Sequence, residues 1–222
     1  SLMDLFKKKK APFNQAAEKS DTPTVIFLID NSSNAGTTYL RETTLLDNAL
    51  SYAQTATERF AGEGIKTACY SIGDSLFKEI DLEARAGKNV GPCRAEPDRG
   101  SDIVSCVELY LADMVAQAPR QIVVLTDGDF ANSSQPRIDH AADCLKKFLS
   151  SSPATSLNFV VLDDMSGNPK KDVDTLVSSL AQAGFENNVS QNRVTPELAL
   201  NAAGGIGKGI HNIVKNKMQV KI

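Results

Sequence analysis

Three near-continuous apolar runs, Val25 to Ile29, Ile122 to Leu125 and Leu157 to Leu162, constrain the fold of this chain more than any other feature. They lack the polar alternation of a half-exposed strand, so each reads as a strand covered on both faces. Strands of that kind belong to parallel sheets, whose crossover connections lay helices over both faces. The segments between them supply those helices. Leu46, Ala49, Leu50, Ala53, Ala56 and Phe60 recur at helical spacing after a capping Thr43 or Thr44, and Gly62 and Gly64 close the run. Ile103, Val107, Leu111 and Met114 make a second apolar stripe that ends at Pro119, and Ile138, Ala142, Leu145 and Leu149 a third. Val173 to Ala183 reads as a fourth helix with Gly184 at its C′ position. Further strands are expected at Ile65 to Ile72, at a short edge within Leu76 to Leu82, and up to Val194. Thr195 as N-cap and Pro196 at N1 then open a final helix reaching roughly Val214. The order predicts an α/β fold: a doubly wound, mostly parallel central sheet flanked by helices on both faces, with one short antiparallel edge strand.

With 222 residues and 41% hydrophobic content, the chain can bury one sizeable core. The pattern places one domain over residues 23–222, after a flexible basic N-terminal tail, residues 1–22. Ser1-Leu2 ahead of Met3 reads as a cloning remnant, with Met3 the natural start. Lys7 to Lys10 have little apolar support beside them and read as a solvated run with no functional role. A net charge of -3 gives no footprint for a polyanion, so no nucleic acid partner is expected. Cys69, Cys93, Cys106 and Cys144 are widely spaced without a CxxC pair and read as free thiols in a reducing compartment. No apolar stretch approaches the roughly 20 residues that span a bilayer. The expected setting is cytoplasmic, with no stable membrane insertion.

Three polar motifs stand where apolar strands end or helices begin. They are Asp30-Asn31-Ser32-Ser33-Asn34 after the first strand, Gly100-Ser101-Asp102 before a helical stripe, and Thr126-Asp127-Gly128-Asp129 after QIVVL. In a doubly wound sheet, ligands gather outside the carboxyl ends of the strands at the topological switch point. Such a sheet would bring two carboxylates and several neutral oxygens to one rim, a donor set suited to a hard divalent cation. Each motif alone is also explained without a ligand: Asp30 and Asp127 as acceptors for loop N–H groups, Ser101 as a helix cap. Their shared placement carries the metal reading.

These motifs resemble the metal-ion-dependent adhesion site of the von Willebrand factor A domain family. That family carries Asp-x-Ser-x-Ser after the first strand, a Thr in a later loop, and an Asp in a Thr-Asp-Gly turn after the fourth strand. The resemblance covers nearly all of residues 23 to 215, including element order. It implies Asp30, Ser32, Asn34, Ser101 and Asp127 as the metal positions, with Mg²⁺, or Mn²⁺ or Ca²⁺, as the ion. Ser101 stands where the family has Thr and keeps the hydroxyl; Asn34 stands where it has Ser and offers an amide oxygen instead. The function implied is a non-catalytic protein-protein interaction domain whose ion is completed by an acidic residue of the partner. An alternative is a scaffold of the same fold with a degenerate metal site.

A metal-dependent phosphohydrolase, with Asp30 as nucleophile and Asp163-Asp164 as later ligands, is set against by Ser32, which has no useful pKa for acid-base work. Gly204-Gly205-Ile206-Gly207-Lys208-Gly209 lacks the first glycine and the hydroxyl of a phosphate loop. Its glycines read as a bend or as close packing against the sheet. His140 and His211 lie in different helices and do not form a zinc set. Asn31, Ala35 to Tyr39, Arg99, Asp102, Asp129 and Phe130 are expected to border the site. Tyr39 and Phe130 are open between partner anchors and packing against their own loops.

Overall fold

The computed structural model describes residues 23–31, 38–40, 42–72, 77–80, 82, 120–129, 135–202 and 205–220. In chain order these form β1 (Val25–Asp30), a hairpin of β2 (Thr38–Leu40) and β3 (Thr43–Thr44), α1 (Leu45–Gly62), β4 (Thr67–Ile72) and β5 (Phe77–Glu79). There follow β6 (Gln121–Thr126), α2 (Gln135–Ser151), β7 (Ser156–Leu162), α3 (Asp172–Leu180), β8 (Val189–Val194), α4 (Pro196–Asn201) and α5 (Gly205–Val220). The main sheet has the order β5-β4-β1-β6-β7-β8, with five strands parallel and β5 antiparallel at the edge. The expected fold class is therefore found, including the antiparallel edge.

All residues of β1, β6 and β7 are buried, which is why they read as apolar runs. Alternate residues feed two cores. Ile26, Leu28, Ile122, Val124, Phe159 and Val161 meet α2 and α3 on one face. Val25, Phe27, Ile29, Val123, Leu125 and Val160 meet α1 and α5 on the other. The split follows from connection handedness. The chain steps one way along the sheet from β1 to β4 and the other way from β6 to β7 to β8. Crossovers of one hand then fall on opposite faces.

The helix starts follow the sequence signals. Asp47 N–H donates to Thr44 Oγ1 at 3.1 Å and Thr44 N–H donates to Asp47 Oδ2 at 2.9 Å, a complete capping box at the head of α1. Thr195 caps α4, with Pro196 in its first turn. At the end of α3 the chain makes one wide turn over Ala181–Phe185, in which Gly184 takes φ 97°.

Three expectations need correcting. The second strand begins at Thr67, because Ile65 N–H is used in closing α1 by donating to Phe60 O. The last helix is not continuous: α4 ends at Asn201, and Gly205 N–H donates to Ala202 O at 2.6 Å where α5 begins. Gly207 packs against α1 rather than the sheet, since a Cβ there would stand 2.5 Å from Thr55 Cβ and 2.8 Å from Tyr52 O. The helix expected over Ile103 to Met114 lies outside the described residues.

Candidate functional site

β1 is the strand at which the winding reverses, so the crevice of the sheet opens between the carboxyl ends of β1 and β6. The pairing of Ile29 with Leu125 brings Asp30 level with Thr126, and Asp127 follows at once. All three are buried: Asp30 is 1% exposed, Thr126 0% and Asp127 4%. A buried carboxylate is costly unless hydrogen-bonded, and the local chain provides the donors. Thr126 Oγ1 donates to Asp30 Oδ2 at 2.8 Å and itself accepts from Gly128 N–H at 3.1 Å. Asp127 Oδ1 accepts from Asp129 N–H at 3.0 Å, so the turn closes on its own side chain. Gly128 makes the turn possible: its φ is 86°, and a Cβ would lie 2.9 Å from Val161 Cγ1.

The second oxygen of Asp127 is taken by a lysine. Lys170 Nζ donates to Asp127 Oδ2 at 2.7 Å and stands 4.0 Å from Asp129 Oδ2. Lys170 lies in the connection between β7 and α3, which Arg193 of β8 holds in place. The Arg193 guanidinium pairs with Asp163, donates to Asp174 Oδ2 at 2.7 Å, and donates to Lys170 O at 2.9 Å. Asp164 accepts from Ser166 N–H at 2.9 Å. Hydrogen bonding from Ser166 holds the Asp164 carboxyl below its usual range against the opposing effect of burial.

The electrostatics reflect this crowding of acids around one ammonium. Burial pulls the Lys170 ammonium downward, but its hydrogen bond to Asp127 and the charges of Asp127, Asp129 and Asp164 outweigh that and raise it overall. Asp129 is pushed up, chiefly by burial and then by the charge of Asp127, with Lys170 opposing. Beside this rim, a cleft of about 390 Å³ runs past Asp163, Asp164, Met165, Pro169 and Pro196. Met165 there is 63% exposed.

Of the sequence-derived metal positions, Asp30 and Asp127 are brought together on adjacent strand ends, while Ser32, Asn34 and Ser101 lie outside the described residues. Among the described residues, no group of three or more His, Cys, Asp or Glu side chains is spaced to hold a metal ion. A cation at this rim therefore requires neutral oxygens in addition to the two carboxylates. The hard oxygens of Asp30 and Asp127 fit such an ion in chemical type, and Lys170 already stands against one of them. Asn31 is buried at the rim, and Asp129 borders it as expected. Tyr39 is not an exposed anchor: it is 1% exposed and packs in the core between the sheet and α1. Burial first, then the charges of Tyr52, Asp163 and Asp164, push its hydroxyl well above the usual tyrosine range. Ala35, Gly36, Thr37, Arg99, Asp102 and Phe130 lie outside the described residues.

The sequence reading missed Lys170 and Arg193. Asn168-Pro169-Lys170-Lys171 looks like any polar turn, and the contact joins residues 43 positions apart. Asp163 and Asp164, once weighed as hydrolase ligands, are engaged by Arg193 and Ser166. His211 lies in the helical layer, hydrogen-bonded to Glu63.

No protein-family model matches the sequence, and no curated protein matches it. Among solved structures, the SpRpn10 VWA domain is similar to this chain with a TM-score of 0.53 at 10% identity, over 83% of this chain and 97% of that one. The RO (RSR) protein of Deinococcus radiodurans gives a TM-score of 0.45 at 14% identity, over 86% of this chain and 35% of that one. The acetyl xylan esterase Est2A of the rumen bacterium Butyrivibrio proteoclasticus gives 0.42 at 12%, over 90% and 66%. The last two are too distant to weigh on either fold or chemistry. The strand order, the antiparallel edge and the first of these likenesses together give this chain the α/β fold of von Willebrand factor A domains, of the wider Rossmann-like kind.

Proposed function

We propose that this chain is a non-catalytic protein-interaction domain that takes its partner through a divalent cation at the β1–β6 rim. The ion, Mg²⁺ in the first instance, is assigned to Asp30, Ser32, Asn34, Ser101 and Asp127. When bound, it supplies an electrophilic position that a partner's Asp or Glu carboxylate completes. The observation that carries the reading is the burial of Asp30 and Asp127 side by side at the switch point of the sheet. Two acids at one buried strand rim call for a cation, and the relay through Thr126 keeps the Asp30 carboxylate oriented. Met165 and the adjoining cleft supply apolar surface within reach of the same partner. A cytosolic setting suits Cys69 and Cys144, which form no disulfide among the described residues. Among the described residues no helix is long and apolar enough to cross a membrane.

Partner capture in Mg²⁺ and again in chelator, with wild type and Asp30→Asn, is the test. Capture that needs both the ion and Asp30 is expected. Capture that survives chelator and the substitution alike overturns the metal dependence. It would favour the second reading, a scaffold of the same fold with a degenerate metal site, which the ammonium of Lys170 on Asp127 already supports.

A further inference from the structure

We propose that Lys170 is a tethered counter-cation for Asp127, which a divalent ion must displace before it can engage that carboxylate. The inference rests on the metal reading above and adds what regulates the site. Three observations make the lysine part of the rim's construction rather than a passing surface contact. First, its ammonium is 2.7 Å from Asp127 Oδ2, on a carboxylate whose side chain is 3% exposed. The other oxygen of that carboxylate is already occupied by Asp129 N–H. Second, the backbone that carries Lys170 is fixed from behind: Arg193 donates to Lys170 O while also engaging Asp163 and Asp174. Third, the Lys170 backbone packs directly against the turn that carries Asp127: its O and Cβ lie 3.5 and 3.7 Å from where a Cβ on Gly128 would stand, ordinary van der Waals distances.

A lysine placed in this way neutralises the buried acid without any ion. Its competition with a metal is Coulombic, because a divalent cation and an ammonium both satisfy Asp127 and repel one another at contact distance. The Lys170 side chain is 29% exposed, so water screens part of the pair and the ammonium is displaceable. Asp129 Oδ2, 4.0 Å away, gives the displaced ammonium a second carboxylate to move towards. The rim thus has two cationic states, one held by the chain's own lysine and one by the ion. The exchange between them lowers the apparent metal affinity.

Calorimetric titration of Mg²⁺ and of Mn²⁺ into wild type, Lys170→Met, Lys170→Gln, Lys170→Arg and Asp127→Ala tests this. Lys170→Met and Lys170→Gln should bind about tenfold more tightly than wild type, a modest coupling for a partly screened pair. Lys170→Arg, which keeps the charge, should stay near wild type, and Asp127→Ala should abolish binding. In chelator, Lys170→Met should melt below wild type and recover on adding Mg²⁺, because its buried carboxylate has lost its cation. Equal affinity in wild type, Lys170→Met and Lys170→Gln, with binding lost in Asp127→Ala, overturns the competition and leaves the metal reading standing. No binding in any variant overturns both.

Discussion

Thr126 carries the rim on a single hydroxyl, which gives to Asp30 and receives from Gly128. Thr126→Val keeps the shape of the side chain and removes both contacts at a position with 0% exposure. The loss should be about 1–3 kcal/mol, the range for taking a partner away from a buried polar group, read from the midpoint of chemical unfolding. Thr126→Ser, which keeps the oxygen, should recover most of it. A valine variant as stable as wild type would mean that the relay does not support the turn. At this scale the sequence was only half informative. Asp30 and Asp127 announce themselves by following apolar runs. Lys170 does not, because nothing local to a polar turn reveals that its charge will lie on a carboxylate 43 positions earlier. The sequence leaves Tyr39 open between a partner anchor and packing, since an aromatic residue just after a polar motif suits either, and the β2–β3 hairpin folds it into the core.

The elements that were legible are those whose burial is uniform or strictly periodic. β1, β6 and β7 are covered on both faces and show as apolar runs, and α1 shows its stripe together with its cap. The β2–β3 hairpin, of 3 and 2 residues, is too short to carry any period. β8, reading Val-Ser-Gln-Asn-Arg-Val with only its ends buried, spends its polar side chains on Asn158, Asp174 and Asp163, so only Val194 marked it. The glycines from Gly204 onward read as a bend at most and not as a break between two helices, because Ala199, Ile206, Ile210 and Val214 are all buried and keep a helix-like spacing across it. The glycines of α5 make the packing testable. Helix propensity alone favours alanine over glycine by about 1 kcal/mol. At Gly209, where nothing lies within 4 Å of a Cβ, Gly209→Ala should raise stability by about that amount. At Gly207 the new Cβ would meet Thr55 Cβ at 2.5 Å and a backbone oxygen at 2.8 Å. Gly207→Ala should therefore destabilise by about 1–3 kcal/mol despite the propensity gain. Thermal unfolding of the two variants should move in opposite directions, and a shared direction would show that α5 does not seat on α1 through Gly207.

Across the whole molecule, the chemistry and the fastening of the helical layer lie at opposite poles. α1 leaves the carboxyl end of β1, beside the candidate site, and runs back to the amino end of β4, so its last residues reach the far pole of the sheet. There Glu63 engages α5 from 148 positions away: one carboxylate oxygen pairs with His211 Nε2, and the other accepts from Lys215 Nζ at 2.7 Å. The His211 ring, 8% exposed, packs on Phe60 with centroids 4.8 Å apart. Hydrogen bonding from Lys215, then from His211, lowers the Glu63 pKa below its ordinary value of 4.5. The sign of the linkage follows: a carboxyl depressed in the folded state stabilises fully above its unfolded pKa, and that stabilisation fades as pH falls through the folded one. Wild type should therefore melt above Glu63→Gln at neutral pH, and the gap should close as pH is taken from about 4.5 downwards. Because the clamp and the rim sit at opposite ends of the strands, Glu63→Gln should also leave Mg²⁺ affinity at Asp127 unchanged. Parallel thermal melts and metal titrations of this one variant check both halves. A melting gap that does not narrow as pH falls below about 4.5 would show that the charge of Glu63 does not join the helices, and a shifted metal affinity would show that the two poles communicate through α1.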